Sequence, residues 1–232
     1  MKPVQIAALA VFLATPAFAG GSPASTPPTP AAYDWTGPLV GANFGWDWSR
    51  NAYDGYESST GMHVSSGTNA ATPFHGGGLV GYNYMFPSRL VIGAAASLGW
   101  SASSSVTESI YTSKTTGVVG GAVLVKLGYA FGDWLPYVDG GWAWSSATTD
   151  RTQLSGGYGP RVHPYTDSVS FDRDGWDLGA GVAYHVWGGW EVYGQYDHKQ
   201  FARVDLVFSK ANVTSKSTLS ENGLTFGVGY KF

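Results

Sequence analysis

Eight ionisable side chains lie on one phase of an alternating pattern: Asp47, Lys126, Asp139, Asp177, His185, Glu191, Asp197 and Lys231. Asp47 stands between Trp46 and Trp48, Asp177 between Trp176 and Leu178, and Glu191 between Trp190 and Val192. Charges enclosed in this way support one of two chemistries. An open file of acidic groups favours the passage of cations. A closed, mutually paired set is a hydrogen-bonded plug, because a buried charge without a partner is costly. The plug is favoured here, with Lys126 among the carboxylates at its centre. Nucleophilic catalysis makes a different demand: a serine, a histidine base and an orienting carboxylate within reach of one another. His198 falls on the opposite phase from Asp197 and Lys199, and no serine stands two residues away on its own face. His63, His75 and His163 are scattered without the spacing of metal ligands, and read as solvated loop residues. No metal or other cofactor is expected.

The elements that must carry these residues are strands. Val40, Ala42, Phe44, Trp46 and Trp48 alternate with Gly41, Asn43, Gly45 and Asp47. The same period of two recurs at residues 80–86, 90–101, 122–129, 137–144, 176–186 and 190–197. An eighth segment ends the sequence, with Leu224, Phe226, Val228, Tyr230 and Phe232 on one face and Thr225, Gly227, Gly229 and Lys231 on the other. Three connections are tight: Pro87-Ser88-Arg89, Gly132-Asp133-Trp134 and Trp187-Gly188-Gly189. The other four, at 49–77, 102–116, 146–174 and 202–220, are long and rich in Ser, Thr, Gly and Tyr. Long and short connections alternate strictly.

The start of the sequence narrows the setting. Residues 1–19 carry one basic residue, Lys2, an apolar stretch from Val4 to Leu13, and Ala17-Phe18-Ala19. This is the order of a signal peptide with a small-x-small cleavage site, so cleavage after Ala19 is expected. Residues 20–34 are rich in proline and read as an extended periplasmic linker, and 35–232 as the folded domain. The sequence has no cysteine, so no disulfide staples an exported chain. It holds 33 Gly, 10 Trp, 14 Tyr and 11 Phe, with 12% charged residues. The average charged share is about 25%, and average Gly usage is about 7%. Loss of Lys2 leaves 12 basic against 16 acidic residues, a net charge of −4 with histidine neutral. That balance gives no basic footprint for nucleic acid. Beyond the leader, no apolar run of about 18 residues occurs, which excludes a helical membrane protein.

In a soluble sheet the apolar face points inward. Here the apolar face is rich in aromatics, and the other face is small and polar. The pattern fits the inverse arrangement, with the apolar face to lipid and the small face to a lumen. Eight strands enclose just enough space for side chains to fill. Closure of the last strand on the first is required, because an unsatisfied backbone group in hydrocarbon costs several kcal/mol. Aromatics recur near strand ends, as interface girdles do, and His198 reads as a girdle residue at headgroup level. The expectation is an all-β, eight-stranded antiparallel up-and-down transmembrane β-barrel, with both termini on the short-turn, periplasmic side.

The segments Tyr33-Asp34-Trp35-Thr36-Gly37, Gly78-Leu79-Val80-Gly81-Tyr82-Asn83-Tyr84, Lys126-Leu127-Gly128-Tyr129-Ala130, Leu135-Pro136-Tyr137-Val138 and Gly179-Ala180-Gly181-Val182-Ala183-Tyr184 resemble the porin-like surface-antigen family of small outer-membrane barrels, relatives of the OmpA type. The resemblance covers residues 33–232. It implies an outer-membrane location in a Gram-negative bacterium and a surface-exposed loop face. The ending Gly229-Tyr230-Lys231-Phe232 is similar to the signal such proteins present to the barrel assembly machinery, with Tyr230 and Phe232 as its aromatic positions. The sequence departs from larger relatives in having no peptidoglycan-binding domain after the barrel, and carries Gln195 where many relatives have Glu. The implied partners are outer-membrane lipid and lipopolysaccharide, the assembly machinery with periplasmic chaperones, and a surface ligand at the outer loops. The expected role is structural and in surface display, without catalysis. A narrow cation-preferring porin and a lipid-modifying outer-membrane enzyme are the alternatives, with a soluble ligand-binding barrel behind them.

Overall fold

Alternating segments joined by tight turns pair with their sequence neighbours, and a ring of them leaves no open edge. The structure, a computed structural model, describes residues 33–107, 111–153 and 165–232. The expected leader and most of the expected linker lie outside the described residues. The strands are β1 (Gly37–Glu57), β2 (His63–Ala71), β3 (Phe74–Met85), β4 (Leu90–Ser101), β5 (Ser104–Thr107) and β6 (Tyr111–Tyr129), followed by β7 (Trp134–Gln153), β8 (Thr166–Trp187), β9 (Trp190–Phe201), β10 (Val204–Phe208) and β11 (Val213–Lys231). Eight form the antiparallel ring β1-β3-β4-β6-β7-β8-β9-β11, and β11 pairs back onto β1. The closing seam runs from Leu39 opposite Lys231 to Glu57 opposite Val213. β2, β5 and β10 prolong β3, β4 and β9 beyond short breaks, pairing on β1, β6 and β11.

The three expected turns stand where the sequence placed them. Arg89, Gly132 and Gly188 supply their left-handed positions, with φ of 67°, 64° and 58°. Every strand keeps the expected phase. Val80, Leu98, Val123, Val125 and Leu178 point outward and are more than half exposed in the isolated chain. In water such a surface would be an aggregation liability; around a barrel it meets acyl chains. On β7 the outward band runs from Trp134 to Trp144. At about 3.3 Å per residue and a tilt near 40°, that span rises about 25 Å, the height of a bilayer-facing band.

The long connections differ from expectation. β1 has 21 residues and β8 has 22, whereas a span needs about 9–11. Much of 49–77, 146–174 and 202–220 is therefore strand. Above the girdle the outward residues turn polar: Trp48 gives way to Arg50, Trp144 to Ser146, and Trp176 to Asp174. Cross-strand hydroxyl pairs take over from lipid contact. Thr148 meets Ser170 at 2.9 Å and Thr152 meets Thr166 at 3.0 Å. A bulge between Thr116 and Val119, with Gly117 at φ 63°, marks the start of this upper wall on β6.

Candidate functional site in the barrel lumen

An apolar cluster packs at the periplasmic mouth. Trp35, just before β1, is fully buried against Val91, Ala130, Leu135, Tyr137 and Ala183, with Tyr33, Met85 and Tyr193 packed around them. Val91, Leu135, Tyr137 and Ala183 come from the inward phase of β4, β7 and β8. Two glycines admit the large rings. A Cβ at Gly181 would stand 2.7 Å from the Tyr137 ring, and one at Gly227 would collide with the Tyr193 ring.

Above this cork a polar chain crosses the lumen. Tyr137 Oη donates to Gln195 Oε1 at 2.7 Å. The Gln195 amide nitrogen donates to Asp139 Oδ1 at 3.4 Å and also to Asp197 Oδ1. Thr225 Oγ1 donates to the other Asp197 oxygen at 3.3 Å. His75 bridges Thr225 Oγ1 at 3.2 Å and Asp47 Oδ2 at 2.9 Å. Lys126 places its ammonium 4.0 Å above the Tyr137 ring, a cation–π contact. Lys199 lies within electrostatic reach of Asp197, Asp47, Asp177 and Glu221.

Asp47, His75 and Thr225 stand in the carboxylate–imidazole–hydroxyl order of a hydrolase triad. The single Thr225 proton has a second acceptor beside His75, Asp197 Oδ2 at 3.3 Å, so the hydroxyl is not directed to the imidazole alone as a triad nucleophile is. His198 stays outward beside Trp176 and shares Asn222 Oδ1 with the Tyr196 hydroxyl.

Of the expected lumen residues, Asp47, Asp139, Asp177, Glu191 and Asp197 are buried inside the barrel. Lys126 joins them through Tyr137; it makes no ion pair among the described residues. His185 and Lys231 sit lower, at the periplasmic rim. His185 contacts Asp133 Oδ1 at 3.1 Å and the Gly188 carbonyl at 3.0 Å, and Lys231 Nζ donates to the Thr36 carbonyl at 3.1 Å. His75 corrects the reading of it as a solvated loop residue: it belongs to β3 and to the lumen. His63 is exposed beside Asp54, and His163 lies outside the described residues. Sequence reasoning missed the cork of Trp35 and left Lys199 and Glu221 out of the lumen set. Their odd numbers on strands of known phase were the available signal.

The charged layer surrounds a cavity of about 180 Å³. Asp47, Asp139, Asp177, Glu191, Asp197 and Glu221 line it against Lys126, Lys199 and His75. Among the described residues no cluster of His, Cys, Asp or Glu is arranged to hold a metal ion.

A closed ring of eight strands, an outward apolar band between aromatic girdles and a polar interior define an integral barrel of the bacterial outer membrane. The sequence matches the family described as outer membrane protein beta-barrel domain across residues 6–232, and the chain belongs to that family. The protein resides in the outer membrane, in contact with its lipid. Several solved outer-membrane structures are similar to this chain. The outer membrane protein OprG of Pseudomonas aeruginosa is similar at 12% identity and TM-score 0.50, over 86% of this chain and 97% of that one. The attachment invasion locus protein Ail of Yersinia pestis is similar at 14% identity and TM-score 0.44, over 85% and 99%. The outer membrane protease OmpT of Escherichia coli is similar at 12% identity and TM-score 0.49, over 84% and 97%. No curated protein sequence matches.

Proposed function

We propose that the protein is a sealed, non-catalytic barrel that serves envelope structure and surface display. The observation that carries this reading is the cork: Trp35 is 0% exposed in an apolar cluster across the periplasmic mouth. Water and ions pass poorly through an apolar constriction. The competing acceptor Asp197 at Thr225 and the pairing of His198 with Asn222 support a role without catalysis. The strands standing above the girdle support display, since they carry the loops where a surface ligand binds. Tyr230 and Phe232, outward at the end of β11, suit recognition by the barrel assembly machinery after periplasmic chaperones deliver the chain among lipid and lipopolysaccharide.

A cation-preferring pore is the second reading. Its support is the acidic excess around the lower cavity, where Asp47 Oδ1, Asp177 Oδ1 and Glu191 Oε2 are buried without a hydrogen-bond donor among the described residues. Single-channel recording in a planar bilayer separates the two. A silent folded protein that conducts once Trp35 is replaced by alanine supports the sealed barrel. Steady cation-selective steps from the unaltered protein overturn it.

A further inference from the structure

A second cavity, of about 190 Å³, lies above the charged layer and beyond the aromatic girdle. Its character is different. Phe171, Leu206, Phe208, Tyr111 and Leu219 supply apolar wall, and Arg173 and Arg151 supply positive charge. Glu221 is the acidic residue of the lining, and it also borders the lower cavity.

Arg173 is 5% exposed, so its guanidinium sits in a low-dielectric enclosure. Nη2 donates to Ser217 Oγ at 2.8 Å, and Ser217 donates onward to Asn51 Oδ1 at 2.6 Å. Ser217 thereby holds the guanidinium in place. Nε and Nη1 have no hydrogen-bond partner among the described residues. No described carboxylate forms an ion pair with Arg173 or with Arg151. The faces of both guanidinium groups lie on rings: Arg173 is 4.8 Å from Phe171, and Arg151 is 4.1 Å from Tyr111 and 5.6 Å from Phe208.

A buried, fixed guanidinium with two N–H groups left unpaired, and Glu221 within electrostatic reach but not in contact, favours an anion that reaches it. The wall beside it favours an apolar body. The volume suits one ring, since an apolar cavity of about 150 Å³ accepts benzene. We propose that this upper cavity binds a small organic carboxylate, with its anionic head on Arg173 and a single ring or short aliphatic tail against Phe171, Leu206 and Phe208. Nothing in this site depends on whether the lumen below conducts.

The test uses protein purified from outer membranes in detergent and 4-fluorophenylacetate observed by fluorine NMR. Saturable binding at least tenfold tighter than that of 4-fluorophenylacetamide is expected. Arg173→Gln, its folding checked by heat-modifiable gel mobility, is expected to reduce the carboxylate to the level of the amide. Phe208→Ala is expected to weaken it several-fold without removing the preference for charge. Absence of saturable binding overturns the proposal. So does equal affinity for carboxylate and amide, or displacement by inorganic phosphate at the same concentration as by phenylacetate. If Arg173→Gln does not fold, the comparison of carboxylate, amide and phosphate on the unaltered protein decides the question.

Discussion

The ring of Tyr33 lies flat on His185, with centroids 3.7 Å apart and planes 10° from parallel. Lys231 covers the same tyrosine at 4.8 Å. The segment that precedes β1 is thus fastened to the β8–β9 turn and to the end of β11. Burial, and next the charge of Glu191, push the Tyr33 hydroxyl up to about 12. This clasp holds Trp35 in the mouth of the barrel. Replacing Trp35 by alanine removes the largest fully buried side chain among the described residues. The expected cost is about 3–5 kcal/mol, read from urea unfolding in lipid vesicles. An unchanged midpoint would mean that Trp35 fills the mouth without contributing to stability.

Asp34 makes the clasp sensitive to acid. Its carboxylate accepts the Thr36 backbone N–H at 2.9 Å. That bond, followed by the Thr36 side chain, holds its carboxyl below the usual range. A lowered folded value stabilises the fold above the unfolded value of about 3.9, and the contribution disappears as pH falls through the folded value. The melting difference between the wild type and Asp34→Asn is therefore expected at neutral pH and should shrink below about pH 4. Since Asp34 is largely solvated, the difference is small. A gap that widens in acid would contradict this account.

Gly227→Ala forces the Tyr193 ring aside. Overpacking of this kind costs about 1–3 kcal/mol. Combining it with Tyr193→Ala should relieve part of the loss, so the double variant is expected to be more stable than the sum of the single effects. Strict additivity in a double-mutant cycle would show that the ring and the glycine are not in competition.

The Gln195 amide donates to both Asp139 and Asp197. Gln195→Glu turns a shared donor into a third carboxylate. Loss of those donors inside the barrel is expected to cost about 1–3 kcal/mol or more. Lys126→Met removes the cation above Tyr137 and should also lower the melting point of the folded form. Tolerance of both changes would show that the lumen is solvated well enough to need no network.

The phase of every membrane-spanning strand was legible, because lipid imposes a contrast of large against small at period two. Trp46 and Trp48 around Asp47 leave one arrangement open. Above the girdle that contrast vanishes, since both faces meet polar surroundings. Thr148, Ser170, Thr152 and Thr166 look like loop composition, yet they pair across strands. His75 was misplaced for the same reason: Gly76, Gly77 and Gly78 after it erase the alternation that would have assigned it to β3. Trp35, Leu39, Val91 and Leu135 are large apolar residues on the small-residue phase. They were the available trace of an apolar cork. The pairings of Arg173 had no local signal, since Ser217 reaches it from β11.

The seam between β1 and β11 also sets the order of events in time. Leu39 stands opposite Lys231, nearly two hundred residues away along the chain. Contacts of such separation form slowly, because the chain entropy is lost before they return anything. Until Lys231 has been synthesised, one flank of β1 has no partner. An early hairpin of β3 and β4 can form and dissolve, but neither edge can be sealed in hydrocarbon. Commitment to the membrane is therefore a late, all-or-none event, and kinetic competition from misfolding is greatest in the interval before it.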